Sequence, residues 1–187
     1  MSPTRAWPTT LMTPTPAEWP PRPLPYPPAD RKDGFALRPW DVDDASALAA
    51  AWADRSIARW LDPPAVDVDS ARDWIAGVEY RRHNAQALDL VIDVDGDVAG
   101  EVGFSSFDAR RHAVLVGYWV AAQHRGRGLA GRAVARACTW AVQTVPVRAV
   151  LAECAAGNLA SHRTAVNAGF DLLHQDETSC VFVLRDG

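Results

Sequence analysis

A short strand, a glycine-rich loop and an amphipathic helix follow one another between Val114 and Thr144. No other stretch restricts the fold as much. Val114-Leu-Val-Gly-Tyr-Trp-Val120 is a β-branched and aromatic run of the kind that forms a buried strand. From Ala130 onward, apolar residues recur at Ala133, Val134, Ala137, Cys138, Ala141 and Val145, while Arg132, Arg136, Thr139 and Gln143 fall on the opposite face. That spacing predicts a helix. Between strand and helix lie His124, Arg125, Gly126, Arg127 and Gly128. The two glycines permit a tight turn with no Cβ to hold a ligand away. The unpaired N–H groups and positive dipole end of the helix face that turn. The stretch therefore predicts an anion site, above all for a phosphate, built from backbone N–H groups between Arg125 and Ala130, Leu129 included, and flanked by Arg125 and Arg127.

Two kinds of nucleotide site use such loops. A triphosphate-binding loop ends in Gly-Lys-Ser/Thr, and the lysine of this chain is Lys32, far upstream, so that reading fails. Gly126-x-Gly128-x-x-Gly131 does satisfy the dinucleotide pattern, and Glu153 follows about 20 residues later, where an acid would hold a ribose hydroxyl. Two features conflict with it. Ala121 to Arg125 separate the strand from the first glycine, and the motif starts at residue 126 of 187, late for the sheet that should follow. A nicotinamide-dependent oxidoreductase stays open as an alternative, with those conflicts attached.

A chain of 187 residues has the length of one domain and can bury a proper core. Apolar content of 48% and charged content of 22% describe an ordinary globular protein. The net charge of −4 points away from nucleic acid and is compatible with a cationic amine. Cys138, Cys154 and Cys180 are odd in number, widely spaced and set in apolar runs, which suits buried thiols in a reducing cytoplasm. The five histidines are scattered and neither C-x-x-C nor H-E-x-x-H occurs, so no metal site is expected. No apolar run reaches about 18 residues and no signal-peptide core is present, so a soluble cytoplasmic protein without a membrane partner is expected.

Residues 1–34 read as a proline-rich arm ahead of a domain spanning 35–187. Ten of the 14 prolines lie between Pro3 and Pro28, a density that favours extended polyproline conformations over helix. Trp7, Trp19 and Tyr26 are interleaved with them. The arm either remains a solvated tail or docks its rings on the domain or on a second copy in a homodimer. Next, Phe35 to Pro39 predicts a strand with Phe35 and Leu37 on one face. Asp41 or Asp43 can cap a first helix, with Ala45, Leu48, Ala49, Trp52 and Trp60 as its buried stripe and Pro63-Pro64 as its stop. A second helix is predicted from about Asp69 to His83, presenting Trp74, Ile75 and Val78 inward. Leu88, Leu90, Ile92 and Val94 alternate with polar Asp89 and Asp93, which predicts a half-buried strand. Asp95-Gly96 turns it into a returning strand from Val98 to Phe104, with Glu101 opposite Val102 and Phe104. After the organising stretch, a strand at Val147 to Cys154, a helix from Asn158 to Ala168 stopped by Gly169, and a terminal hairpin complete the order.

Three segments carry a resemblance. Gln123-x-x-Gly126-x-Gly128 matches the Q/R-x-x-G-x-G/A loop of the GNAT acetyltransferase superfamily. Asn158-Leu-Ala-Ser161-His-Arg-Thr-Ala-Val-Asn-Ala-Gly169-Phe170 resembles the N-x-x-S-x-x-x-A-x-x-x-G-F signature of its RimJ/RimL-like branch, and Val116-Gly-Tyr-Trp-Val120 resembles that branch's I-G-Y-W-L strand. The resemblance covers about residues 35 to 185. It implies an α/β (α+β) GNAT fold: a mixed central sheet of about six or seven strands, mostly antiparallel, splayed at the cofactor site and flanked by four helices. The implied substrate is acetyl-CoA as acyl donor, its diphosphate on the Gly126/Gly128 loop. The implied activity is N-acetyl transfer to a primary amine, on a protein N-terminus or a small molecule.

The same resemblance assigns Trp119 and Val120 to the pantetheine arm and acyl oxygen, Asn158 to the pantetheine arm, and Ser161 to the departing thiolate. Asn158 and Ser161 also suit simple helix capping. The branch often carries Ala-Glu ahead of its I-G-Y; here those positions hold Val114-Leu115, so a base must come from elsewhere. Glu101, between Gly100 and Gly103, is the best remaining carboxylate, with Tyr118 and His112 as outsiders. In the family the two N-terminal helices line the acceptor groove, and Asp62, Asp67 and Asp69 lie between them, as caps or as contacts to a cationic acceptor. The competing functional class is a non-catalytic, acyl-CoA-binding or regulatory GNAT domain.

Overall fold

A computed structural model of the chain describes residues 19–61, 63, 67–145 and 147–185. Trp7, Asp62 and Pro64 lie outside them. The strands are β1 (Ala36–Arg38), β2 (Ala87–Val94), β3 (Asp97–Asp108), β4 (Ala113–Val120), β5 (Ala149–Ala155), β6 (Asp171–Gln175) and β7 (Ser179–Arg185). They form one sheet in the order β1-β2-β3-β4-β5-β7-β6. Every neighbouring pair is antiparallel except β4 and β5, which are joined by the crossover helix α5 (Leu129–Thr144). Asp95 and Gly96, with φ of 56° and 93°, make the tight β2–β3 turn.

The β4–β5 ladder stops early. Pairing runs from Ala113↔Ala149 to Val116↔Ala152, although β4 continues to Val120 and β5 to Ala155. Beyond Val116 the strands part, and the sheet opens into a V. The mostly antiparallel, splayed sheet expected from the resemblance is present.

The sheet is covered on both faces. One face packs Leu90, Ile92, Val102, Phe104, Val114 and Val116 against Ala133, Val134 and Ala137 of α5. The other packs Val91 and Trp119 against α1 (Ala45–Ala53), α2 (Arg55–Leu61), α3 (Val68–Ala76) and α4 (Val78–His83). β2 is accordingly more buried than alternation predicts. Its polar residues lie under helices, and each is matched by arginine: Asp93 to Arg31 and Arg38, both at 2.8 Å, and Asp89 to Arg81 at 3.1 Å. Burial alone would raise the Asp93 pKa, but Arg38, the Gly96 N–H and Arg31 together hold it below the ordinary value.

Six α-helices occur among the described residues where four were expected, because each predicted N-terminal helix is broken once. Asp54 takes an extended conformation, and its carboxylate accepts from the Ser56 N–H (2.8 Å) and Oγ (2.7 Å), starting α2 afresh. The break turns Trp60 out of the buried stripe, and it is 38% exposed. Gly77 divides α3 from α4. A Cβ there would lie 2.8 Å from Arg81 Nη1, whose guanidinium passes that point to reach the Trp74 carbonyl and Asp89. Asp67 caps α3 through the Ser70 N–H, and Asp69 pairs with Arg72, so the described aspartates of that loop serve the helix start.

The described part of the arm is docked. Leu24 is 1% exposed, and Trp19 and Tyr26 pack on the same apolar cluster. Arg82 donates to the Leu24 carbonyl and lies over the Tyr26 ring. Arg132 and Arg136, on the polar stripe of α5, bond the carbonyls of Asp33 and Asp30 and flank the ring of Phe35.

Candidate active site

A cavity of about 720 Å³ occupies the V between β4 and β5. Its floor is Tyr118, Trp119 and Val120 at the end of β4, and its far wall is α6 (Leu159–Asn167) with Asn158 ahead of it. The glycine loop closes one end. Gly126 and Gly128 have φ of 77° and 67°, in the left-handed region, and nothing lies within 4 Å of where a Cβ would stand. Gly128 is the N-cap of α5 and offers no side-chain cap; the first helical bond on its carbonyl comes from the Arg132 N–H. The N–H groups at Leu129, Ala130 and Gly131 therefore begin a 16-residue helix without an intrahelical acceptor, beside the cavity.

The free edge of β4 supplies further donors. The Ala121 N–H donates to the Ala99 carbonyl, and Trp119 is the register partner of Glu101. By the two-residue alternation of an antiparallel ladder, the N–H groups of Tyr118 and Val120 point the other way, into the V.

Two hydroxyls meet on the α5 and α6 side. Asn158 caps α6 by accepting from the Ser161 N–H at 3.1 Å. Ser161 Oγ donates to the Tyr118 hydroxyl at 2.9 Å, and that hydroxyl donates to the Ser161 carbonyl at 2.9 Å. Burial pushes the Tyr118 pKa up to about 12, so the phenol stays protonated across the physiological range.

On the opposite face stands Glu101, cross-strand from Trp119 and outside the lining of the cavity. Trp40 Nε1 donates to its carboxylate at 3.0 Å, and Trp40 packs edge-to-face on Trp74. Desolvation first, then the charge of Asp89, push the Glu101 pKa up to about 8, against the hydrogen bonds from Trp40 and Trp119. Asp89 is displaced in the same direction by burial, against Arg81.

The two arginines of the loop differ. Arg127 is exposed and is not part of the cavity lining. Arg125 lines the cavity, yet three of its donors are engaged: Nε with the Val120 carbonyl (2.7 Å), Nη1 with Ser56 Oγ (2.7 Å) and Nη2 with Asp54 (2.9 Å). The resemblance implied that the N-terminal helices line a groove, but sequence reasoning named none of the α2 residues that face this cavity, Ser56, Ile57, Arg59, Trp60 and Leu61, and placed Trp60 in the core. The helix break at Asp54 had no recognisable signal beyond an Asp-x-Ser that could have been read as a cap.

Residues 35–171 match the family model described as an acetyltransferase (GNAT) domain, which is most of the chain. The protein belongs to the GNAT acetyltransferase family. The GNAT chain is 28% identical over 103 residues to an uncharacterized N-acetyltransferase, p20, of Bacillus licheniformis, a match over 54% of this chain and 58% of that protein's length. Its fold is that of the microcin C7 self-immunity acetyltransferase MccE, solved with acetyl-CoA and AMP: TM-score 0.73 at 19% identity, over 86% of this chain and 98% of that one. The ribosomal L7/L12 alpha-N-protein acetyltransferase RimL, solved with coenzyme A, gives a TM-score of 0.74 at 18% identity over 84% and 97%. Mycobacterium smegmatis RimJ, solved with CoA-disulfide, gives 0.71 at 22% over 81% of each. The solved neighbours thus include members of the RimJ/RimL branch. No helix among the described residues of this GNAT protein is long and apolar enough to cross a membrane.

Proposed function

We propose that this GNAT domain transfers an acetyl group from acetyl-CoA to a primary amine, on a protein N-terminus or a small molecule. One observation carries the reading. β4 leaves β5 after Val116, so the unpaired N–H groups of Tyr118 and Val120 open into a cavity that ends at the uncapped N-terminus of α5. A diphosphate suits the α5 end, and an extended pantetheine chain suits the free strand edge. Acetyl-CoA supplies an acyl group activated as a thioester.

The side chains of β4 then sort the chemistry by face. The Val120 N–H is directed to the acyl oxygen, where negative charge develops as the C–N bond forms and from which it passes to sulfur as the C–S bond breaks. Glu101, on the Trp119 face, takes the proton from the incoming ammonium. Its raised pKa matches that task better than an ordinary carboxylate would. Ser161, linked to Tyr118 on the opposite face, passes a proton to the departing sulfur and recovers one through solvent, the second proton that the acylated nitrogen releases. Neither hydroxyl is a strong acid, so orientation by the Asn158 cap and the Tyr118 bond must supply most of the effect. Attack and departure occur on opposite sides of the strand, as adjacent residues of a β-strand require.

Acetyl-CoA binding by calorimetry, followed by release of coenzyme A thiol against a panel of free and N-blocked peptides and small amines, tests the reading. Thiol release with an unblocked amine is expected. Binding without turnover on any amine would leave a non-catalytic acyl-CoA-binding domain, and no binding would remove the reading altogether.

A further inference from the structure

Arg125 sits beside the loop glycines, where the sequence suggests a contact to the cofactor's diphosphate. The structure gives it three protein partners. The guanidinium spans all three: the last carbonyl of β4 at Val120, the hydroxyl of Ser56 in α2, and the carboxylate of Asp54 that starts α2. Asp54 matches the arginine's charge, and its own pKa is held low by the Ser56 hydroxyl and N–H first and by Arg125 after them. α2 has only seven residues and is separated from α1 by the extended Asp54, yet it presents Ile57, Arg59, Trp60 and Leu61 to the cavity. A helix this short does not hold its place by its own hydrogen bonds.

We propose that Arg125 is a positioning residue. It straps α2 to the end of β4, so that the wall over the cavity and the strand end bearing the acyl-oxygen donor keep one relative placement. The proposal rests on the acetyl-transfer reading for its functional meaning, but the strap itself is a separate structural claim. Three of the five guanidinium N–H groups are occupied, in a fork that a lysine ammonium at the end of a flexible stem cannot reproduce.

Arg125→Lys separates the two roles, since it keeps the positive charge and loses the fork. Arg125→Met removes both. Two measurements are made on the full chain: amide hydrogen exchange over residues 55–61, and affinity for 3′-phosphoadenosine 5′-diphosphate, the part of coenzyme A that carries the diphosphate. A strap predicts that exchange in 55–61 accelerates at least about fivefold in both variants, while the fragment's Kd changes less than about twofold. With an amine acceptor in hand, the acceptor KM or kcat shifts in both variants alike. A phosphate ligand predicts the reverse: Met weakens the fragment about tenfold or more, Lys binds it nearly as well as the parent, and exchange in 55–61 is unchanged. Either a tenfold loss confined to Met or unaltered exchange in both variants overturns the proposal. If the parent protein fails to bind acetyl-CoA, the functional reading falls, and the exchange measurement still decides the strap.

Discussion

Glu101 is the residue whose environment most alters its chemistry. Its carboxyl is desolvated among Trp40 and Trp119 and faces the charge of Asp89, so it holds its proton up to about pH 8. As the base, it requires kcat/KM to rise with pH and level off above about 8; Glu101→Gln should abolish that limb and lower the rate by about 10²–10⁴-fold. A pH-independent profile in the parent would remove Glu101 from the mechanism. The same shift bears on stability. Between the ordinary glutamate value of 4.5 and about 8, the folded state binds a proton that the unfolded state releases. The contribution of this group is therefore complete below that window and declines as pH rises through it, and urea midpoints for the parent should fall relative to Glu101→Gln. Ser161 and Tyr118 form the second pair. Ser161→Ala is expected to slow turnover about tenfold or more with little change in acetyl-CoA affinity, and Tyr118→Phe should add little to it, because the two hydroxyls act as one bonded unit. An unchanged rate in Ser161→Ala would reduce the serine to part of the α6 start.

At the scale of elements, two glycines have opposite duties. Gly128 turns the loop into α5 with φ of 67° in open space, so a larger residue meets no atom but must adopt a left-handed backbone and intrude on the helix N-terminus. Gly128→Glu should abolish acetyl-CoA binding, by placing a carboxylate where the diphosphate is held, while a near-native circular dichroism spectrum is retained. Gly100 is confined instead: a Cβ there would stand 2.3 Å from the Trp119 carbonyl oxygen. Gly100→Ala forces β3 from β4 beneath the site and is expected to destabilise by about 1–3 kcal/mol in urea titration. The loop, the strand before it and the helix after it were legible in sequence because each has a local signature: glycines at a turn, a β-branched run, a 3.6-residue period. The breaks at Asp54 and Gly77 were not. Apolar spacing continues across both; Asp54 breaks the first helix by capping Ser56 with its own carboxylate, and at Gly77 the Arg81 guanidinium takes the space a side chain would need.

For the molecule as a whole, the described part of the arm, from Trp19 onward, belongs to the core. Leu24 closes the bottom of the α5-side cluster beside Leu88, Phe104, Val114 and Val147. Leu24→Ala should cost about 2–5 kcal/mol, read as a lower urea midpoint with an unchanged slope. A loss below about 0.5 kcal/mol would mean that the segment contributes no packing. Its prolines forecast extended chain, and its rings allowed either solvation or docking. Only the apolar surface left by β2, β3 and α5 decides between them, and that surface exists only after the sheet is assembled.

Sequence alone determined the strand–loop–helix unit, the order of the strands from residue 35, and the family through three short motifs, because all of these are written in local spacing and residue type. Tertiary structure decided what local spacing does not encode. Trp119 and Tyr118 are neighbours in the chain, yet the pleat sends one beside Glu101 and the other to Ser161, 43 residues downstream. It also gave Arg125, which sequence places at the phosphate loop, a carboxylate partner 71 residues upstream. The physical reason is the same in each case: a guanidinium or a carboxylate is defined by the partners and burial it finds, and those are supplied by segments that meet only in the folded chain.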